Sequence, residues 1–293
     1  VVTPDEGDFT ITIDETTGVV IDPVGKQPVN KGDDLTVTIT PEDGYIITDV
    51  LVDGESVGVV DKYTFEDIQA DHTLKVIAQP EDMLTDEHIA YVGGYPDGTV
   101  QPEANITRAE VAMIFYRLLT DDARAKYASD ASTFTDVADG AWYTTAIATL
   151  TNAGILDGYT DGTFRPDAPI TRAEFAAIAA RFDHSEISSA ASFTDVHGHW
   201  AEALIGRASA LGWVNGYSDG TFRPDVAITR AEAMTLINRV LNRDTLTADS
   251  LLDGMMTWPD NAQSAWYYLA VQEATNGHDC EMKDGVEVWT ELH

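Results

Sequence analysis

The sequence is nearly devoid of cysteine and short of basic residues, and each shortage excludes a class of protein. Cys280 is the one cysteine in 293 residues, which excludes an intrachain disulfide and a cysteine-based zinc site. Only 17 lysines and arginines face 50 acidic residues, so the formal net charge is -33. This balance argues against nucleic acid and against anionic membrane surfaces as partners. No run of about 18 apolar residues occurs, and we expect no membrane insertion.

The residues that are abundant predict folded domains. Hydrophobic residues make up 44% of the chain and aromatic residues 9%, which is enough to build real cores. The length suits two domains of on the order of 100–200 residues each. The chain begins at Val1 without a methionine or a signal peptide, so we expect a mature form or an excised fragment.

Residues 1–79 are predicted to form a small β-rich module, followed by a linker over residues 80–90. Alternation places Phe9, Ile11 and Ile13 on one face of a strand, and the run DLTVTIT repeats the pattern. The stretches DPVGKQP, PEDGY and VDGESVG are predicted turns between four to six short strands. The stretches GVVIDPVG, ITPEDGYIITDVLVDGESVG and YTFEDIQADHTLKV resemble the InlB-type B-repeat modules of Gram-positive surface proteins. That resemblance implies a stalk or adhesive spacer.

The region 91–293 is repetitive. Residues 134–183 and 193–243 each contain FTDV, a first helix, a loop of the form GY-x-DGTFRP, and a second helix opened by TRAE. A third unit is split between residues 91–120, which hold the loop and second helix, and residues 256–278, which hold the first helix. Because one repeat cannot bury its apolar face alone, we expect the two chain ends to close a pseudo-threefold domain. The predicted fold class is multidomain α+β: the β-rich module, then an all-α assembly with short loops and hairpins.

These repeated motifs resemble the S-layer homology family, with which bacteria attach surface proteins to the cell wall. The resemblance covers roughly residues 84–293 and implies a three-pronged helical assembly that binds a secondary cell-wall polysaccharide, often one carrying pyruvate ketals. The order of parts departs from the family, because the usual trio begins with the first helix. Here one unit is made from both ends of the region.

The motif ITRAE occurs three times, and most of its letters have a local structural explanation. Each threonine is a natural N-cap, and the glutamate three residues later completes a capping box. The arginine after the threonine is different, because a cation at a helix N-terminus costs roughly 0.3–1 kcal/mol unless an anion compensates it. Two compensations are open: an ion pair with a capping-box glutamate or an FTDV aspartate, or an anionic ligand held by the guanidinium and the helix N-terminus. The family resemblance favours the ligand, and both can hold together.

Four kinds of residue are therefore candidate glycan contacts. The glycine before each tyrosine can belong to a turn and can also let the backbone approach a ligand, and the family resemblance implies that it lines the sugar groove. The tryptophan at each first helix belongs either to the core or to a sugar-stacking surface. The candidates are Arg108, Arg172, Arg230, Asp136, Asp195, Asp260, Trp142, Trp200, Trp266, Gly94, Gly158 and Gly216.

Other patterns carry no chemistry. GYSDG fits a hydrolase nucleophile elbow, but Ser218 is replaced by Pro96 and Thr160 in the other repeats. The pair His197 and His199 lacks a third ligand of matching spacing, so no metal and no cofactor are predicted. The acidic loops lack the spacing of an EF-hand, which leaves a calcium site unsupported.

We therefore expect a non-enzymatic anchor, monomeric in solution and located at the extracellular bacterial cell wall or S-layer surface. Its expected partner is a secondary cell-wall polysaccharide, a peptidoglycan-linked glycan. Two alternatives stay open: a structural module for self-assembly or protein docking, and the anchor of a polysaccharide-degrading enzyme whose catalytic domain lies upstream of Val1. Unequal repeats are also expected, because Gln101 stands where the other loops have Arg165 and Arg223.

Overall fold

Residues 7–42, 44–183 and 192–293 are described by the computed structural model, and the chain divides into two units, Val1–Glu81 and Asp82–His293. Residues 1–6 and Asp43, which were assigned to the predicted β-rich module, lie outside the described residues.

The described residues of the first unit form eight short strands. They are β1 (Phe9–Ile13), β2 (Val19–Asp22), β3 (Gly25–Val29), β4 (Leu35–Pro41), β5 (Tyr45–Val52), β6 (Glu55–Gly58), β7 (Lys62–Phe65) and β8 (His72–Pro80). One sheet has the order β3-β1-β8-β5-β6 and the other has the order β2-β4-β7. All pairs are antiparallel except β1 with β8.

Alternation along the strands fills the core of this unit. Ile11 and Ile13 of β1 and Val37 and Ile39 of β4 are at most 1% exposed, as the alternating pattern predicts. The prediction of four to six strands is wrong, because two stretches assigned to turns form strands. The stretch around Gly25–Val29 becomes β3, and Glu55–Gly58 becomes β6, whose four residues are all exposed. Strands with glycine, proline or no buried face carry little alternation by which to find them.

The second unit is built on seven helices among the described residues. They are α1 (Arg108–Leu118), α2 (Asp121–Lys126), α3 (Thr144–Asn152), α4 (Arg172–Ala180), α5 (Glu202–Ala210), α6 (Arg230–Val240) and α7 (Tyr268–Thr275). Helix α1 packs on α3, α4 on α5, and α6 on α7. The helices α1, α4 and α6 start at the TRAE motifs, and all three capping boxes are formed.

A ring of backbone hydrogen bonds joins the three repeats. The amide of Ile106 donates to the carbonyl of Ile228 (3.3 Å), Ile170 donates to Ile106 (3.0 Å), and Ile228 donates to Ile170 (3.1 Å). Each isoleucine is at most 1% exposed and directly precedes the N-cap of a TRAE helix. The three helix N-termini therefore meet around one buried axis.

The prediction that this region is all-α is wrong. After α7 the chain forms an antiparallel hairpin of β9 (His278–Lys283) and β10 (Val286–Leu292). Its turn contains Asp284 and Gly285, both at positive φ, and an Asp-Gly pair between two strand-like runs is a hairpin signal. The hairpin buries Trp289 to 2% exposure, which gives this segment an apolar anchor outside the repeats. Over the described residues the fold is mixed, with three sheets and seven helices.

Candidate functional site: three equivalent grooves

Each TRAE arginine is buried and reaches into the neighbouring repeat. Arg108 is 5% exposed, and its Nη1 lies 3.0 Å from Glu174 Oε1. Its Nε donates to the carbonyl of Phe164 (2.7 Å) and its Nη2 to the carbonyl of Asp157 (3.1 Å). Thus the cation at the first helical position is compensated by a carboxylate and two carbonyl oxygens of another repeat.

The same contacts run in a circle through all three repeats. Arg172 Nη1 lies 3.4 Å from Glu232 Oε1, and Arg230 Nη1 lies 2.9 Å from Glu110 Oε1. Of the two compensations left open by the sequence, the structure contains the ion pair, and its partner is the capping-box glutamate of the next repeat. The guanidinium groups still border surface grooves, so the ion pair does not exclude a contact with ligand.

The FTDV aspartates hold a loop in place. Asp136 accepts hydrogen bonds from the amides of Phe164 and Arg165, both at 2.7 Å. Asp195 does the same for Phe222 and Arg223, and these bonds help to lower the pKa of Asp195 against the opposing effect of partial burial. Because both oxygens are used on backbone amides, these carboxylates fix the loop that follows each DGT turn.

Asp260 shows that the split unit is joined in space. Its carboxylate accepts from the amides of Val100 (3.1 Å) and Gln101 (2.7 Å), which lie near the other end of the unit. The aspartates do not border the three grooves described next, so the structure does not bring them together with the arginines and tryptophans.

The glycines of the GY pairs are required by packing. A Cβ on Gly158 would lie 2.2 Å from Cε1 of Phe134 and 2.7 Å from the carbonyl oxygen of Thr163. Gly94 and Gly216 face the rings of Trp258 and Phe193 in the same way. All three glycines also line grooves, so close packing on one side coincides with an open surface on the other.

Three grooves of the same composition lie between the repeats. Each is lined by a TRAE arginine, a Gly-Tyr pair, a capping-box glutamate, an arginine from the last turn of a TRAE helix or just after it, and a tryptophan. Groove 1 contains Arg230, Gly94, Tyr95, Glu110, Arg117 and Trp142. Groove 2 contains Arg108, Gly158, Tyr159, Glu174, Arg181 and Trp200. Groove 3 contains Arg172, Gly216, Tyr217, Glu232, Arg239 and Trp266.

The tryptophans of the three grooves are largely exposed. Trp142, Trp200 and Trp266 are 59%, 62% and 69% exposed. The sequence left a core role and a surface role open for them, and the structure has all three at the surface. Each precedes a first helix by two residues and stands against a neighbouring aromatic ring, edge-on to Tyr143 and Tyr267 in two repeats. An exposed ring held in this way offers a flat apolar face to a ligand.

The second arginine of each groove was missed in the sequence. Arg117, Arg181 and Arg239 occur at the same spacing after each TRAE arginine, and this recurrence is the signal that identifies them. Arg117 donates to the carbonyl of Tyr91 (3.2 Å), and Arg181 pairs with Asp157. Within the described residues, no hydrogen bond or ion pair engages the side chain of Arg239. Each groove therefore carries two guanidinium groups on a strongly acidic chain.

At the side of each groove, a tyrosine lies beside the capping-box glutamate and the TRAE arginine. The hydroxyl of Tyr159 donates to Glu174 Oε1 (2.5 Å), and that of Tyr95 donates to Glu110 Oε1 (2.9 Å). Burial, followed by the bond to Glu174, raises the pKa of Tyr159, so this hydroxyl keeps its proton. The TRAE guanidinium lies over the tyrosine ring, with Arg108 Cζ 4.9 Å from the ring centroid of Tyr159.

The grooves differ in volume and in whether an arginine covers the ring of the tyrosine. Their volumes are about 230 Å³ for groove 1, 450 Å³ for groove 2 and 530 Å³ for groove 3. In grooves 2 and 3 the outer face of the tyrosine is covered by Arg165 or Arg223, each 3.8 Å from the ring centroid. Gln101 takes that position in the first repeat. Ligand pockets commonly measure about 300–1,000 Å³, a range that includes grooves 2 and 3 and excludes groove 1.

Comparisons with known proteins find similarity between this unit and one family. The S-layer homology domain matches the chain over residues 90–112, 133–176 and 192–234. The chain is 40% identical over 218 residues to cell surface glycoprotein 1 of Acetivibrio thermocellus, covering 70% of this chain and 9% of that protein. It is 37% identical over 221 residues to the cellulosome-anchoring protein of the same organism, covering 72% and 48%. It is also 34% identical over 204 residues to an exoglucanase of that organism, covering 66% and 18%.

The three matched segments lie in the three repeats that form the grooves, so this region is similar to S-layer homology domains. The protein belongs to the bacterial cell-wall surface, and the matches point to a non-catalytic module. The chain spans less than half the length of each of these relatives, so the activity of the whole protein lies outside this statement. Among the described residues, no helix has the length and apolar character needed to cross a membrane.

Proposed function

We propose that the C-terminal unit anchors the protein non-covalently to the cell wall by binding an anionic secondary cell-wall polysaccharide, a pyruvylated one in particular. The observation that carries this proposal is the pairing, in every groove, of an exposed tryptophan with two arginines on a chain of net charge -33. Such a chain repels anionic ligands in general, so a local cluster of guanidinium groups suits a specific acidic group.

The arginines are suited to a carboxylate. A guanidinium group donates through a planar fork that matches a carboxylate in two-pronged fashion, and a pyruvate ketal offers a carboxylate at the edge of a sugar ring. The TRAE arginine is rigid, because Nε, Nη1 and Nη2 each already have an intramolecular partner. The later arginine is less restrained, most clearly Arg239, and it supplies the guanidinium that adjusts to the ligand.

The tryptophan and the tyrosine–glutamate pair are suited to the sugar itself. The exposed face of Trp200 or Trp266 can stack on the apolar face of a pyranose ring. The carboxylate oxygens of Glu174 and Glu232 lie in the same grooves and can accept hydrogen bonds from sugar hydroxyls. Two or three grooves of moderate affinity on one rigid unit would hold a repeating polymer by avidity, without a tight single site.

Co-sedimentation of the full chain with purified cell walls tests this function. We expect the protein to pellet with walls that carry a pyruvylated polysaccharide, and to stay in the supernatant after the polymer is extracted or its pyruvate removed. The triple variant Trp142→Ala, Trp200→Ala, Trp266→Ala should fold normally and fail to pellet. Equal binding to intact and extracted walls would contradict the proposal and favour docking to another wall component.

The N-terminal unit is proposed to be a spacer. Its sequence resembles the B-repeat modules described above, and a stalk would hold the rest of a surface protein away from the wall. Removal of residues 1–81 should leave wall binding unchanged, since the three grooves lie within Asp82–His293. Loss of binding in that variant would assign the β-rich unit a direct role.

A further inference from the structure

A second cluster of ligating side chains lies outside the grooves. It consists of His88, Glu273, His278 and Glu287, whose ligand atoms all lie within 4.8 Å of one another. Three of these side chains are 0–2% exposed and His88 is 15% exposed. None of them belongs to a repeated motif, and glycan binding gives them no role.

The distances between the ligand atoms fit a common metal ion. His88 Nδ1 lies 3.0 Å from Glu273 Oε1 and 3.0 Å from His278 Nε2, and His278 Nε2 lies 3.2 Å from Glu287 Oε1. Zinc bonds to imidazole nitrogen and carboxylate oxygen are about 2.0–2.2 Å, so the ligand atoms of a tetrahedral site are separated by roughly 3.3–3.5 Å. The four side chains are already close to this spacing.

One carboxylate oxygen of the cluster is buried without a hydrogen bond in the described part of the chain. Glu273 Oε2 is fully buried and makes no hydrogen bond among the described residues, although it lies 3.4 Å from His278 Nε2. A buried carboxylate oxygen without a hydrogen bond is costly unless a cation compensates it. Two glutamates and two neutral histidines would bring two negative charges to a divalent ion.

The surroundings hold the ligands in orientation for a metal. The ring of His278 uses Nδ1 to donate to the carbonyl of Asn276 (3.0 Å), which leaves the lone pair of Nε2 directed into the cluster. The indole Nε1 of Trp289 donates to Glu287 Oε1 (3.2 Å). Outer partners of this kind fix the tautomer and rotation of metal ligands.

We propose that His88, Glu273, His278 and Glu287 bind one divalent transition-metal ion, Zn²⁺ by the chemistry of its ligands. Four protein ligands that are almost completely buried leave no open position for a substrate, so the site is structural. Cys280 is outside the ligand set, because its Sγ lies 3.5 Å from Nε2 of His88, the nitrogen on the opposite side of the ring from Nδ1.

The site joins the two ends of the trio. His88 precedes the repeats, whereas Glu273 lies in the last turn of α7 and the other two ligands belong to the terminal hairpin. The backbone makes the same connection, since the amide of His278 donates to the carbonyl of His88 (3.0 Å). A metal ion here would lock the closure of a trio in which one unit is made from two separated segments.

Metal analysis of the full chain tests the site. Protein purified without chelators or nickel columns should retain about one zinc per chain after dialysis. Chelation should lower Tm, and ZnCl₂ should restore it. At free zinc about 100 times Kd the unfolding equilibrium shifts by about 100-fold, on the order of 5–10 °C in Tm for a unit of this size. If chelated protein keeps its Tm and takes up neither ZnCl₂ nor CoCl₂, the cluster is a proton-sharing polar network and the proposal fails.

Variants separate this cluster from other histidines. His88→Gln and Glu273→Gln should weaken zinc binding by more than the roughly 10–100-fold that loss of an outer partner costs. The matched control is His197→Ala with His199→Ala, which removes two histidines from the sequence HGHW and should leave zinc content unchanged. Zinc lost equally in the control would overturn the assignment. A cobalt–thiolate absorption band that Cys280→Ser removes would overturn the ligand set. The chelation measurement on the unmodified protein decides the question even if a variant fails to fold.

Discussion

Arg230 Nη1 lies 2.9 Å from Glu110 Oε1, although the two residues are 120 positions apart in the sequence. The contact is the last link of a circle in which each TRAE arginine pairs with the capping-box glutamate of another repeat. The glutamate therefore has two tasks, since it also accepts from the amide of its own N-cap threonine, Thr107 (2.8 Å). Helix initiation and closure of the trio share one carboxylate.

Arg230→Ala should destabilise the C-terminal unit substantially. The variant removes one partner of a largely buried ion pair and two hydrogen bonds to carbonyls, and such losses cost about 3–5 kcal/mol. Urea unfolding followed by circular dichroism measures the change. Arg165→Ala is the control, because its ion pair with Asp161 is about half exposed and its loss should destabilise the unit far less. Equal effects of the two substitutions would contradict the structural role of Arg230.

The local part of this arrangement could be predicted from sequence, and the long-range part could not. Thr107 and Glu110 are three residues apart, so a capping box follows from spacing alone. The partner of Arg108 is Glu174, and nothing in the spacing within one repeat distinguishes it from Glu110 or Asp136. The choice depends on how repeats pack around the axis, which is a tertiary property.

The residues that line the grooves could also be predicted only in part from the sequence. The arginines and tryptophans were found because their motifs recur, whereas Arg181 was missed although its spacing also recurs. The FTDV aspartates recur too, yet they hold a loop. His88 and His278 are 190 positions apart and neither lies in a recurring motif, so only the fold brings them together.

Trp200→Ala should weaken wall binding more than Trp142→Ala. Groove 1, which contains Trp142, is about half the volume of groove 2 and has Gln101 in place of the loop arginine. Loss of one stacked aromatic contact is worth about 0.5–1.5 kcal/mol, which corresponds to roughly 2–10-fold in affinity. Calorimetry with soluble wall polysaccharide measures the difference. Because both rings are largely exposed, the two variants should have equal thermal stability, and a larger binding loss at Trp142 would contradict the ranking of the grooves.

The loop that contains Asp219, in the repeat of residues 193–243, should lose stability in acid only at very low pH. Hydrogen bonds from the hydroxyl and amide of Thr221, and then from Arg223, lower the pKa of Asp219 from 3.8 to about 2. Since the folded pKa is depressed, the stabilising contribution is complete above the ordinary value of 3.8 and is lost as pH falls through about 2. Carboxyl NMR should follow this titration directly. Asp219→Asn should flatten the decline of Tm between pH 4 and pH 2, and an NMR pKa at or above 3.8 would contradict the hydrogen-bonded turn.

Gly93 and Gly94 are neighbours, and replacing each of them in turn tests whether the two segments of the split unit pack together. A Cβ on Gly94 would lie 2.0 Å from Cζ3 of Trp258 and 2.9 Å from the carbonyl oxygen of Thr99, whereas a Cβ on Gly93 would meet nothing within 4 Å. Overpacking of this kind costs typically about 1–3 kcal/mol. Gly94→Ala should therefore lower Tm by several degrees, and Gly93→Ala should leave it within about one degree.

The residue that the new side chain at Gly94 would meet, Trp258, makes the test specific for the contact between the two segments. Trp258 lies in the C-terminal segment of the split unit, and its indole nitrogen is held by Thr275 (3.0 Å). Replacing Trp258 with a smaller residue should rescue Gly94→Ala in part, so that the double variant is more stable than the sum of the two single effects predicts. Strictly additive effects would mean that Gly94 and Trp258 do not touch, and the two ends of the trio would then have to be joined by other contacts.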